Sequence, residues 1–272
     1  PLFPLITTLF VIFFSQSQMI SHHGYPSEEY EVLTEDGYYL TINRIPWGRK
    51  NIAPKLVVFL QHGIFGEASH WVENMANNSL GFILADTGYD VWLGNSRGTS
   101  MSQRHQTFSV DQAEFWNFSF HEMAMYDLPA TINFILKKTK QKQLYYIGYS
   151  QGATIGMITW KSFSLSLFYS SSRIDVYAAH FPDITSVKTI LHWKQSSPPS
   201  YQIKDLSVPT AVWSGGQDTV ADPKDIELLL SGIVNLVYHC SWADWTHWDL
   251  IWGLNAPQRM FFKIIQLMEK SV

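Results

Sequence analysis

Leu144-Tyr145-Tyr146-Ile147-Gly148-Tyr149-Ser150-Gln151-Gly152-Ala153-Thr154-Ile155-Gly156 decides how this chain is read. Leu144–Ile147 has the character of a short buried strand, and it stops at a G-x-S-x-G pattern, Gly148–Gly152. That pattern is the sequence form of a sharp strand-to-helix elbow. Its serine sits in a strained conformation at the apex, and the flanking positions must lack a Cβ where strand and helix nearly touch. The residues behind it (Ala153, Ile155, Gly156, Met157, Trp160) recur at helical spacing, with small members for close packing. The pattern occurs again at Gly94-Asn95-Ser96-Arg97-Gly98. There it is followed by Thr99-Ser100-Met101-Ser102-Gln103-Arg104, which has no apolar period and predicts no helix. An elbow without its helix lacks the N-terminal N–H groups that stabilise an oxyanion. Ser150 is therefore the candidate nucleophile, and Ser96 with Arg97 reads as a structural turn after a strand.

Working outward, Tyr30–Leu33 and Tyr39–Arg44 flank the turn Asp36-Gly37 and read as a hairpin. Leu56–Gln61 is a continuous apolar run of the kind buried on both faces of a sheet, ending in His62-Gly63-Ile64. A helix over Leu80–Thr87 stops at Gly88, and Asp90–Leu93 is the next strand. Glu122–Lys138 reads as a helix that tolerates Pro129 through a kink. Downstream lie strands at Thr210–Trp213 and Leu236–Tyr238 and helices near Pro223–Leu230 and Ala256–Met268. Strands alternating with helices predict an α/β fold, a mainly parallel sheet with helices on both faces. Between Phe163 and Val208 the pattern fails, and no strand there is convincing.

A serine hydroxyl needs a base. In an α/β-hydrolase fold the chain order is Ser…Asp/Glu…His, with acid and base on loops after late strands. Thr210–Trp213 runs into Ser214-Gly215-Gly216-Gln217-Asp218, a glycine turn that delivers a carboxylate from a strand end, and His247 follows the strand Leu236–Tyr238. Asp222 directly precedes Pro223 and reads as a helix N-cap, with Asp225 in the first turn. His239 lies within a strand and His192 precedes the acid, so neither fits the order. The triad expected is Ser150, Asp218 and His247. An oxyanion hole needs the N–H after the nucleophile, from Gln151, and one from the loop after an earlier strand, where Ile64 stands. No metal-ligand cluster and no nucleotide-binding glycine loop is present, so no cofactor is expected.

The chain has 272 residues, 46% of them hydrophobic and 15% charged, a globular rather than disordered composition. Its formal net charge of -4 gives no reason to expect nucleic acid as a partner. Cys240 is the only cysteine, so no intrachain disulfide forms. Leu2–Phe14 is uncharged and almost wholly apolar, too short to span a bilayer comfortably. Followed by Ser15-Gln16-Ser17, it matches a signal peptide over residues 1–17, cut just after Ser17. A secreted or lysosomal protein is expected, with Asn77 and Asn117 as candidate glycosylation sites.

With these motifs the chain resembles the acid lipase family, which includes gastric and lysosomal acid lipases. The resemblance runs through Gly24-Tyr25-Pro26, Thr34-Glu35-Asp36-Gly37-Tyr38, Gln61-His62-Gly63 and Gly88-Tyr89-Asp90-Val91-Trp92. It continues through Gly94–Gly98, Tyr126-Asp127-Leu128-Pro129, Arg173-Ile174-Asp175-Val176-Tyr177 and Ala221-Asp222-Pro223. It implies a serine esterase that hydrolyses triacylglycerols, cholesteryl esters or related lipid esters at a lipid–water interface. There are departures. Tyr149 stands where the family commonly has His, and the family's Trp after the arginine-glycine turn is replaced near Met101. The family also carries a further strand after the nucleophile helix and then a long cap. Here residues 18–272 are expected to form one domain whose cap, around 162–208, is largely missing. An active lipid esterase is the first expectation. The alternative is an inactive or unstable truncated form that at most binds lipid, and a third is a peptidase or thioesterase on the same fold.

Overall fold

The central strands bury both of their faces, and the computed structural model shows how. It describes residues 15–50, 56–159, 182–195, 201 and 203–271. Strand β1 (Glu28–Leu33) pairs antiparallel with β2 (Tyr38–Ile45). β3 (Val57–Gln61) and β4 (Asp90–Gly94) are buried at every position and run parallel. β5 (Arg104–His105) adds to β2, and β6 (Tyr145–Gly148) lies parallel to β3 on its other side. The order is β1-β2-β4-β3-β6.

Alternation along these strands feeds two cores. Val57, Phe59, Trp92 and Tyr146 point into one; Val58, Leu60, Val91, Leu93 and Ile147 point into the other. Helix α1 (Gln16–His22) and α2 (Leu80–Asp86) cover the second face through Ile20, Phe82 and Leu84. α3 (Leu128–Thr139) and α4 (Gln151–Thr159) cover the first through Ile132, Ile135, Ala153 and Ile155. Pro129 is accommodated by a π-helical turn, Met123–Asp127, immediately before α3, so the expected kink is a widened turn.

β7 (Thr210–Gly215) and β8 (Leu236–Trp242) form a separate two-stranded parallel sheet. Among the described residues no strand bridges β6 and β7; residues 160–181, which follow the nucleophile helix in the chain, lie outside the described residues. The second core still joins the two sheets, because Ala211, Trp213 and Trp245 pack in the same cluster as Ile147 and Tyr149. Besides the single helical turn Asp249–Trp252, two helices were not expected. One is α5 (Val187–Trp193), inside the patternless stretch, followed in order by α6 (Pro223–Gly232) and α7 (Phe262–Lys270). The other is α1, whose capping box on Ser15 and Gln18 occupies the end of the expected leader. Residues 1–14 lie outside the described residues. Gln16 is buried, and its side chain amide donates to Glu67 and to Asn95, both at 2.9 Å. A cut just after Ser17 would remove those contacts.

Candidate active site

The elbow begins where β6 ends. The Tyr149 N–H donates to the Gln61 carbonyl at 3.0 Å, carrying the strand pairing one residue further. The chain then turns through Ser150 at φ 50, a conformation that costs a non-glycine residue about 1 kcal/mol or more. α4 starts at once behind it. Glycine is required on either side by contact rather than by torsion. A Cβ on Gly152 would lie 2.4 Å from the Gln61 carbonyl oxygen, and one on Gly148 would lie 2.7 Å from the Ala153 nitrogen.

The loop after β3 lies against this elbow. A Cβ on Gly63 would meet Tyr149 at 2.7 Å and the Cβ of Ser150 at 2.9 Å. His62 fixes the loop from behind. Its Nε2 accepts the Ser96 N–H at 3.0 Å, so Nδ1 carries the proton and donates to the Gly63 carbonyl at 2.7 Å. Burial lowers its pKa, so it stays neutral. Among the described residues neither the Ile64 N–H nor the Gln151 N–H meets an acceptor.

Asp218 and His247 are brought together from the far ends of β7 and β8. Asp218 is buried, and its Oδ1 accepts the Val220 and Ala221 N–H groups at 2.8 and 2.7 Å. Its Oδ2 accepts the His247 Nδ1 proton at 2.6 Å, which leaves Nε2 as the basic nitrogen. The pKa of His247 is lowered because its burial outweighs the opposing bond and charge of Asp218. The ring of His247 packs against Tyr149, centroids 6.4 Å apart, and Tyr149 is itself buried against His70 and Trp71. Tyr149 thus walls the imidazole at the residue before Ser150. No hydrogen bond joins Ser150 to His247 among the described residues, and such bonds commonly tighten only with substrate bound.

The rivals are placed elsewhere. Asp222 caps α6 by accepting the Lys224 N–H at 2.8 Å. His239 lies in β8 beside Ser214, and His192 stacks on Phe120 at 4.0 Å. Ser96 is buried and its Oγ accepts from Gln61 Nε2 at 3.0 Å. Asn77 and Asn117 are both exposed. Sequence reasoning missed two neighbours of the site, Asp183 and Trp193, because both lie in the stretch without period. Trp193 Nε1 donates to Gln151 Oε1 at 2.9 Å.

Two protein-family profiles match. One, described as a partial alpha/beta-hydrolase lipase region, covers residues 16–75; the other, the alpha/beta hydrolase fold, covers 57–159. The chain is 42% identical to a lysosomal acid lipase/cholesteryl ester hydrolase of Macaca fascicularis, over 93% of this chain and 90% of that protein. It is 39% identical to the gastric triacylglycerol lipase of Homo sapiens, over 94% and 91%. These alignments run over 360 and 361 positions, more than the 272 residues of the chain, so both relatives carry internal segments without a counterpart here. Among solved structures, the fold is similar to that of the Pyrococcus furiosus esterase Pf2001, with a TM-score of 0.59 and 14% identity over 96% of this chain and 94% of that one. It is also similar to a bacterial membrane phospholipase A, with a TM-score of 0.62 and 13% identity over 93% and 88%.

Proposed function

This chain belongs to the acid lipase family of α/β-hydrolases, and from that membership we propose that it hydrolyses lipid carboxylic esters through an acyl-enzyme on Ser150. The observation that carries the reading is the buried Asp218–His247 bond of 2.6 Å, delivered beside an elbow whose serine is held at φ 50. His247 Nε2 takes the Ser150 proton as Oγ attacks the ester carbonyl. Asp218 holds the tautomer and stabilises the imidazolium that forms. The Ile64 and Gln151 N–H groups receive the oxyanion. Collapse of the tetrahedral intermediate breaks the ester bond, and His247 returns the proton to the leaving alcohol. Water then repeats the sequence on the acyl-enzyme. Triacylglycerol and cholesteryl ester, the esters named in those relatives, are the first candidates to test, met at a lipid–water interface. A secreted or lysosomal location suits those relatives and the two exposed sequons, Asn77 and Asn117.

The test is turnover of p-nitrophenyl butyrate by the purified chain, with fluorophosphonate labelling mapped to Ser150. Hydrolysis with a label on Ser150 is expected. A cooperatively melting protein that is neither active nor labelled overturns the reading in favour of a chain that only binds lipid.

The pH profile follows from the base. His247 works only when neutral, and its pKa lies below the ordinary 6.5 because burial disfavours its charge. Activity is therefore lost as pH falls through that lowered value and is kept above it. The acid limb of kcat/KM is expected to have its midpoint below pH 6.5, and a midpoint above 6.5 would contradict this role for His247.

A further inference from the structure

Asp183–Trp193 reaches both segments that carry the candidate oxyanion donors, the loop after β3 and the start of α4. At one end stands Phe65, held at φ 57 in the turn closed by the Gly66 N–H on the Gly63 carbonyl at 3.2 Å. Ile64 lies inside that turn, so whatever fixes Phe65 also fixes the direction of the Ile64 N–H. A bulky residue in the left-handed region stays there only when its surroundings hold it. The holding contact is the Asp183 N–H, which donates to the Phe65 carbonyl at 2.7 Å. Asp183 is anchored in turn. Its buried carboxylate accepts the Ser100 N–H at 3.1 Å, the Ser100 hydroxyl, and the Ile184 N–H at 2.7 Å. Ser100 follows the Ser96 turn that holds His62, so the contacts close a ring around the Gly63–Gly66 loop.

The other end is Trp193. Its indole N–H grips the side chain of Gln151, whose amide nitrogen lies 3.6 Å from the sulfur of Met123. Gln151 opens α4, so a fixed side chain fixes its peptide. Between the two ends the segment is itself pinned. The Ser186 hydroxyl donates to the Phe118 carbonyl and accepts the Thr189 N–H, His192 meets Ser119 at 3.1 Å, and the His192 ring stacks on Phe120.

We propose that Asp183–Trp193 is a positioning strap that aims the Ile64 and Gln151 N–H groups at the oxyanion formed during acyl transfer. The inference rests on the ester-hydrolase reading and assigns the two strap residues a role in the transition state. Neither touches the reacting atoms; each acts through a donor. Interactions felt only in the transition state change kcat and leave ground-state binding alone.

The experiment uses the full chain with Asp183→Ala and Trp193→Phe, the latter removing the indole N–H while keeping an aromatic ring. Removing a donor outright costs about a hundredfold or more in kcat, so misaiming one is expected to cost about five- to tenfold. KM for p-nitrophenyl butyrate should stay within about twofold. Binding of phenylboronic acid, whose tetrahedral adduct on Ser150 places an oxygen in the oxyanion site, should weaken in parallel with kcat. Asp183→Asn, which keeps an acceptor for Ser100, should recover most of the loss. If Asp183→Ala fails to fold, Ser100→Ala loosens the same anchor and takes its place. Unchanged kcat and boronate affinity, or a lowered melting temperature with only KM altered, overturns the strap. Wild-type protein that is inert and unlabelled at Ser150 overturns the hydrolase reading and the strap together; a labelled, active wild type with unaffected variants overturns the strap alone.

Discussion

Ser150→Ala is expected to reduce ester turnover on the order of a millionfold, to the level left by binding and the oxyanion donors alone. The size follows from the chemistry. Without Oγ there is no acyl-enzyme, and the Asp218–His247 pair has no proton to accept. His247→Ala should cost about as much, and the double variant should be no worse than either single one, because the two groups act as a unit. Asp218→Asn should lose less, about ten-thousandfold, through the wrong imidazole tautomer. The fold should survive Ser150→Ala, since the elbow is held by backbone bonds and glycine contacts that the hydroxyl does not make. Ser96→Ala is the informative contrast. It removes the acceptor of Gln61 Nε2 from a buried site, so it should cost about 1–3 kcal/mol of stability while turnover stays within a few fold. Steady-state rates with p-nitrophenyl butyrate, alongside thermal melts, read all five variants. If Ser96→Ala abolished turnover and Ser150→Ala did not, the choice between the two G-x-S-x-G turns would be reversed.

That choice was open to sequence reasoning because it turned on periodicity. The apolar stripe after Ser150 becomes α4, whereas Ser96 leads into irregular turns. The strands β3 and β4 were legible for a similar reason: residues buried on both faces leave no polar alternation to misread. The pairing of Asp218 with His247 was legible only through chain order, since nothing local to either residue announces the other. α5 was hidden because Val187 and Leu191 face outward and Trp193 is only half-buried, so its apolar residues do not mark a buried stripe. Its one local signal was Ser186, whose side chain accepts the Thr189 N–H as an N-cap. α1 was hidden differently. The apolar run of residues 2–14 with Ser15–Ser17 reads as a leader, and Ser15-x-x-Gln18 is at the same time a capping-box signature. The strap contacts of Asp183 and Trp193 had no sequence signal at all, because each depends on a loop distant in the chain. The role of Arg97 was half legible: a turn residue was expected, and a buried charge was not.

Arg97 is the position where a single substitution should most damage the fold. Its side chain is 1% exposed. It is held by two carboxylates from different elements: Nε donates to Asp127 Oδ1 at 2.8 Å, and Nη2 donates to Asp36 Oδ1 at 2.9 Å. Its guanidinium lies 4.0 Å from the centroid of the Tyr38 ring. Burial alone would drive the charge off the guanidinium, but the charges and hydrogen bonds of Asp127 and Asp36 outweigh it, and its pKa is raised above the ordinary value. The arginine thus ties the hairpin turn before β2 and the π-helical turn before α3 to the end of β4. Arg97→Ala would leave the carboxylate of Asp127, also buried, without its counter-charge, while Asp36 could still turn to water. Breaking a buried pair in this way costs about 3–5 kcal/mol, far more than the pair itself contributes over a well-packed apolar replacement. For a chain of this size that corresponds to a fall in melting temperature on the order of 10 °C. Arg97→Lys should recover little, because an ammonium cannot present the planar fork that two carboxylates share. Arg49→Ala supplies the scale for an exposed pair: its bond to Asp86 lies at the surface, where such pairs contribute about 0–1 kcal/mol. Denaturant unfolding of the three variants separates the cases. A loss at Arg97 no larger than that at Arg49 would show that the chain relaxes to hydrate Asp127, and that the turn after β4 is not what holds the hairpin to the sheet.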